Sequence, residues 1–141
     1  MSGINLNYID HVALTVTDPE KSVAWYEQVL GMEQCFMHGL EGPPFLLRAG
    51  NTYLNLFPAD VEQPQAPPQA DTIAMRHLAF KLTPEQYEPT KQELEAQGLT
   101  PQPFDYGPFC RALFIKDPDG HVIELIAYNP EDVFIEPEKE A

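Results

Sequence analysis

The chain carries an internal repeat, and nothing else in it restricts the fold so strongly. IDHVALTVTDPEKSVAWYEQVLGM and MRHLAFKLTPEQYEPTKQELEAQGL align His11 with His77, Ala13 with Ala79 and Gly31 with Gly98, at offsets of 66 to 67. Further on, NTYLNLF at 51–57 matches GHVIELI at 120–126 at an offset of 69, which sets Asn55 opposite Glu124. Order and spacing agree across both blocks, so each half is read as one copy of the same supersecondary unit.

Each copy opens on a strand. Residues 8–17 and 74–82 alternate in character and are rich in aliphatic and β-branched side chains. A helix follows in both. Asp18 caps the first with Pro19 at its first turn, and Thr83-Pro84-Glu85-Gln86 forms a capping box for the second. Gly31 and Gly98 stop the helices, because glycine takes the left-handed conformation that closes a helix without steric cost. Shorter strands are expected near 32–37, 44–49 and 51–57, then near 101–104, 109–116 and 121–128. Gly50-Asn51 and Asp117-Pro118-Asp119-Gly120 supply hairpin turns. Four prolines in residues 58–72 exclude a central strand or helix and mark an extended linker between the modules, about 8–57 and 73–128. The acidic tail, 129–141, is expected to fray, with Val133, Phe134 and Ile135 available for docking.

At 141 residues one compact domain is expected, with about 68–70% of the unfolded surface buried and no need of disulfides. Cys35 and Cys110 lie far apart without CxxC spacing, so both are expected as thiols. Eight Lys and Arg against 22 Asp and Glu leave a charge of −14, which disfavours nucleic acid and anionic membranes as partners. The N-terminus lacks a basic, then apolar, leader, and no stretch nears the roughly 18 apolar residues of a membrane span. A cytoplasmic protein is expected.

Alternation along the strands sorts the polar groups. His11, Ala13 and Thr15 share one face, opposite Val12, Leu14 and Val16; His77 and Ala79 oppose Leu78, Phe80 and Leu82; Glu124 opposes Ile123 and Leu125. The apolar sets should pack beneath the helices, leaving His11, His77 and Glu124 on the inner face of the sheet. A carboxylate there costs several kcal/mol unless it is paired, solvated or bound to a metal. Two imidazoles and a carboxylate suit a divalent ion: Fe(II) or Mn first, with Zn, Ni or Co as alternatives. One strand histidine alone is more often structural; the two at equivalent repeat positions together with Glu124 make the assignment. His38 and His121 lack that symmetry, and the first is at most a pocket-rim residue.

In DHVALTVTDPEKSVAWYEQVLGM, RHLAF and FIKDPDGHVIEL the chain resembles the vicinal oxygen chelate superfamily, which includes glyoxalase I, extradiol dioxygenases and the fosfomycin- and bleomycin-resistance proteins. The resemblance implies an α+β fold in which two βαβββ modules form a cupped, mixed eight-stranded sheet with helices outside, and puts the metal positions on His11, Asn55, His77 and Glu124. Asn55 departs from glyoxalase I, which places a carboxylate there; an amide cannot serve as a general base near neutral pH. Phe114 stands where extradiol and fosfomycin enzymes commonly carry tyrosine. The loop before residue 109 lacks the lysine- and serine-rich stretch of the fosfomycin enzymes, and the linker lacks the extradiol acid/base histidine.

Hairpin registers across the two turns put Cys110, Ala112 and Phe114 on the inner face of the second module, and Arg48, Tyr53 and Asn55 on that of the first. Asn55, Phe114, Tyr53, Arg48 and Cys110 are therefore the expected substrate-binding residues, with no catalytic residue assigned. Arg48 either binds a substrate carboxylate or pairs with one of the many acids. The expected function is a metal-dependent enzyme acting on a small oxygenated substrate, read first as dioxygenase-like. A glyoxalase-like lyase or isomerase and a non-catalytic, sequestering protein are the alternatives. Exposed sheet edges point to a homodimer.

Overall fold

The computed structural model describes residues 3–130, so the expected docking residues Val133, Phe134 and Ile135 lie outside the described residues. The chain divides at Ala66 and Pro67, inside the proline-rich linker, into two compact units.

The first unit runs β1 (His11–Val16), α1 (Pro19–Leu30), β2 (Glu33–Cys35), β3 (Phe45–Ala49) and β4 (Thr52–Pro58). The second runs β5 (Leu78–Leu82), α2 (Pro84–Ala96), β6 (Gln102–Asp105), β7 (Cys110–Lys116) and β8 (Val122–Tyr128). Both are βαβββ. Their mixed four-stranded sheets have the same order, β1-β4-β3-β2 and β5-β8-β7-β6, with one parallel pair in each, β1 with β4 and β5 with β8. The parallel pairing follows from chain direction: the helix returns the chain to run along the first strand again, and the two antiparallel reversals that follow, β2–β3–β4 and β6–β7–β8, restore that direction in β4 and β8.

Local chemistry explains the helix limits. The Asp18 side chain accepts from the Lys21 amide at 3.3 Å, Pro19 opens α1, and Gly31 at φ 66° lets its amide and that of Met32 close the last turn on Glu27 and Tyr26 carbonyls. In α2 the Thr83 hydroxyl accepts from the Gln86 amide at 3.3 Å while Gln86 Oε1 accepts from the Thr83 amide at 2.9 Å. The box foreseen in the sequence is complete in both directions. The helix ends at Ala96 with Gln97 as its cap, one residue before Gly98.

Strands β1 and β5 begin later than the alternation indicates, at His11 and Leu78, because the residues before them have no ladder partner. The turns fall as expected. Ala49 faces Thr52 across Gly50-Asn51, and Asp117 exchanges backbone contact with His121 at 3.0 Å, with Gly120 at φ 92°. Asp117 is buried and its Oδ1 accepts from the amides of Asp119 and His121, each at 2.9 Å, so the carboxylate replaces the ladder bonds that the turn gives up.

Each unit buries the apolar strand face. Leu47, Leu54, Leu56 and Val16 form the buried set of the first, with Tyr26 and Val23 from α1. Leu113, Ile115, Ile123, Leu125 and Ala127 form that of the second, with Tyr87 and Leu94 from α2. At about 1.5–3 kcal/mol for each fully buried large aliphatic side chain, these rows dominate the stability of each unit.

Candidate metal centre

The opposite strand faces carry the polar groups, and the register makes the two units equivalent. In the first, Ala13 faces Asn55, which faces Leu46, which faces Cys35. In the second, Ala79 faces Glu124, which faces Phe114, which faces Gln102. His11 and His77 each stand two residues before the alanine of their row, on the same face. The histidine and the polar residue on the neighbouring parallel strand therefore recur at the same relative place in both sheets.

In the second unit that pair is in contact. His77 Nε2 lies 3.0 Å from Glu124 Oε1, and Phe114 meets the imidazole edge-on at 5.5 Å between ring centres. Glu124 is only 4% exposed, and its other oxygen, Oε2, has no hydrogen-bond partner. Asn55, at the equivalent place in the first unit, is also buried, and its Oδ1 has no partner either. A buried oxygen without a donor costs about 1–3 kcal/mol, more when charged, and these two stand at repeat-related positions.

His11 is half exposed, and its Nδ1 lies 2.7 Å from Asp10 Oδ2. A carboxylate on Nδ1 sets the tautomer that leaves the Nε2 lone pair free for an ion. Asp10 went unnoticed in the sequence; its signal is a carboxylate immediately before the candidate ligand.

His77 and Glu124 supply two donors of the kind a divalent metal takes. A spacing of 3.0 Å between His77 Nε2 and Glu124 Oε1 serves a hydrogen bond, and equally two adjacent ligands each at about 2.1 Å from one ion. Among the described residues no three His, Cys, Asp or Glu side chains are gathered into one metal-holding group. The structure brings His77 and Glu124 together, while His11 lies on the first unit.

The remaining expected residues take the faces read from the hairpins. Tyr53 and Arg48 are in register with His11, and Arg48 pairs with Glu33 at 3.2 Å, a hydrogen bond that raises its pKa further. Cys110 faces Tyr128 across the ladder, and burial first, then the charge of Glu124, pushes its thiol above the usual range. Tyr106 and Tyr128 were not singled out from sequence. Burial is the first cause of the raised pKa of each phenol, and Glu124 contributes to both. Lys81 also stands on this face, in register with Ile126. His121 belongs to the Asp117 turn, where its amide donates to the carboxylate.

Residues 8–125 match the family model described as Glyoxalase/Bleomycin resistance protein/Dioxygenase superfamily. The chain belongs to this superfamily. Among curated members it is 30% identical over 120 residues to glutathione transferase FosA of Serratia marcescens, covering 85% of this chain and 80% of the relative. It is 27% identical over 125 residues to the protein YwkD of Bacillus subtilis, covering 85% and 96%. Solved superfamily structures share the fold. A glyoxalase/dioxygenase from Nostoc punctiforme superposes with a TM-score of 0.74 at 21% identity, over 88% of this chain and 92% of the other. A lactoylglutathione lyase from Agrobacterium tumefaciens superposes with a TM-score of 0.65 at 22% identity, over 86% and 94%. Among the described residues no helix is long and apolar enough to cross a membrane.

Proposed function

We propose that the chain is a divalent-metal-dependent enzyme acting on a small oxygenated substrate, with His11, His77 and Glu124 as the protein ligands. One observation carries this reading: the buried, unpartnered Glu124 Oε2 beside His77, repeated as the unpartnered Asn55 Oδ1 in the other unit. Fe(II) or Mn suits two imidazoles and a carboxylate, with Zn, Ni or Co as alternatives. When bound, the ion supplies Lewis acidity toward substrate oxygens or, as Fe(II), reactivity with O₂.

The chain's own residues limit the chemistry. Asn55 stands where a fourth ligand would be anionic in a glyoxalase-type site, and its amide accepts no proton near neutral pH, so it orients a substrate hydroxyl or carbonyl but does not shuttle protons. Phe114 and Ala112 give the second unit's inner face an apolar floor, and Cys110, held as a thiol, adds no charge to it. Tyr53 is the polar neighbour of His11, whereas Arg48 is engaged by Glu33. A site without a carboxylate base favours oxygen-dependent chemistry over isomerisation. Identity with a glutathione transferase supports a second reading, addition of a thiol to a metal-activated substrate.

The test is anaerobic reconstitution with Fe(II) and, separately, Mn(II), followed by a panel of catechols, epoxides and 2-oxo compounds with oxygen uptake and glutathione consumption monitored in parallel. Oxygen uptake supports the first reading and glutathione consumption the second. Binding of neither metal, or equal binding by His77→Ala, removes both. A homodimer is part of the proposal, since strands β1 and β2 in the first sheet and β5 and β6 in the second are edges of their sheets.

A further inference from the structure

The first unit contains a cavity of about 120 Å³ where the chain leaves β2 and returns into β3. Cys35 and Leu46 line it from the sheet, and Phe36, Met37 and Leu40 from the connecting loop. Phe36 is 82% exposed, Met37 56% and Leu40 36%. Single exposed apolar side chains need no explanation, but three around one concavity leave contiguous apolar surface that gains by being covered. The repeat breaks at this place: residues 106–109 alone join β6 to β7, whereas 36–44 join β2 to β3, so the loop belongs to the first unit only.

The cavity lies on the face that bears the candidate site. Cys35 is the ladder partner of Leu46, and Leu46 of Asn55, so the three side chains follow one another across β2, β3 and β4 on one face. At about 4.8 Å between strands the row spans roughly 10 Å. At its β4 end stands Asn55, 7% exposed, with Oδ1 lacking a partner. That oxygen is an acceptor only, so a hydroxyl or an N–H satisfies it and a carboxylate does not. At the other end, size sets the ligand. An apolar cavity of about 150 Å³ holds benzene, so one of 120 Å³ takes about four or five carbons rather than a ring.

From this row we infer that the first unit recognises a hydroxylated ligand with a short alkyl chain: the hydroxyl donates to Asn55 Oδ1, the chain crosses Leu46, and its apolar end fills the cavity lined by Cys35, Met37 and Leu40. The inference deepens the reading above by naming a substrate class, and it rests on that reading's placement of substrate beside Asn55. The metal takes no part in it. Burial of the alkyl end supplies affinity, while the orphan oxygen supplies selection, because a ligand without a donor leaves it unpaired.

The experiment titrates the full chain, with and without Mn(II), with butan-1-ol, hexan-1-ol, octan-1-ol and hexanoate. The readout is the NMR signal of the ¹³C-labelled Met37 methyl group, assigned with Met37→Leu, with the exposed Met75 of the second unit as internal reference. The Met37 signal should move and saturate. Affinity should rise about fifteenfold from butan-1-ol to hexan-1-ol, at about fourfold per methylene, and by less than about fourfold from there to octan-1-ol, once the cavity is full. Hexanoate should bind at least about tenfold more weakly than hexan-1-ol, and Asn55→Leu should weaken hexan-1-ol about fivefold. Leu40→Trp, which adds bulk at an exposed position, should abolish the movement. A Met37 signal that stays still in wild type, or moves equally in Leu40→Trp, overturns the proposal. So does wild-type affinity in Asn55→Leu, or hexanoate binding as tightly as hexan-1-ol. The two readings fail separately: Mn(II) bound by wild type and lost in His77→Ala, with Met37 unmoved by hexan-1-ol, removes this inference alone, whereas the expected titrations in a chain that binds no Mn(II) remove only the metal.

Discussion

Replacing Glu124 by glutamine should move stability and metal binding in opposite directions. The carboxylate is 4% exposed, one oxygen meets His77 at 3.0 Å, and the other has no partner. Glutamine keeps the shape and a carbonyl oxygen able to accept from the imidazole, but removes the charge. The NH2 that takes the place of Oε2 is unpaired as well, but a buried charge left unpaired costs more than the roughly 1–3 kcal/mol of a neutral group, so the metal-free variant is expected to gain about 1–2 kcal/mol. That corresponds to roughly 2–8 °C in the thermal midpoint for chains of this size. With metal the sign reverses. An ion at 100 times its dissociation constant adds about 2.7 kcal/mol to wild type, and a hundredfold loss of affinity reduces the gain to about 0.4 kcal/mol. The assay is chemical or thermal unfolding of both proteins with chelator and with Mn(II), at one pH. A variant less stable than wild type without metal, yet equally stabilised by Mn(II), would refute the reasoning, since Glu124 would then be a structural hydrogen-bond acceptor.

Four other outcomes are expected. In Asn55→Glu a fourth anionic ligand should tighten Ni or Zn at least tenfold and abolish any oxygen-dependent turnover; unchanged metal affinity in the folded variant would remove residue 55 from the site. Asp117→Ala should cost more than about 2 kcal/mol, because two backbone amides at 2.9 Å lose a buried acceptor; urea unfolding reads it directly. Tyr87 is buried with Arg111 4.0 Å over its ring, and desolvation, the largest cause, raises its pKa above 10.0. The folded state holds that proton more tightly, so the contribution is complete below pH 10.0 and is lost as pH rises through the folded value. Tyr87→Phe should flatten the alkaline fall in the urea midpoint while costing about 0.5–1.5 kcal/mol for the hydroxyl that donates to the Ala112 carbonyl. Light scattering at micromolar concentration should return a dimer mass, and a monomer would refute the homodimer.

Much of this molecule was legible before any coordinates because its information is local and duplicated. Capping residues, turn glycines and strand alternation act within a few residues, so α1, α2, both hairpins and the strand face shared by His11 and Asn55 in one unit, and by His77 and Glu124 in the other, could be read from order alone. The repeat then checked each reading against its copy, and the superfamily followed. Strand starts were less legible. Residues 8–10 and 74–77 alternate like strand, but a strand exists only where another backbone supplies its hydrogen bonds, and the ladders begin at His11 and Leu78.

What tertiary structure alone decided is which polar groups meet. Spacing cannot say that Glu124 Oε1 is held by His77 while Oε2 is left over, or that Arg48 is engaged by Glu33. Those facts depend on side-chain direction across several strands and on which donors burial leaves within reach. Hydrogen bonds and ligand bonds fade within an ångström, whereas sequence pattern resolves position only to a face.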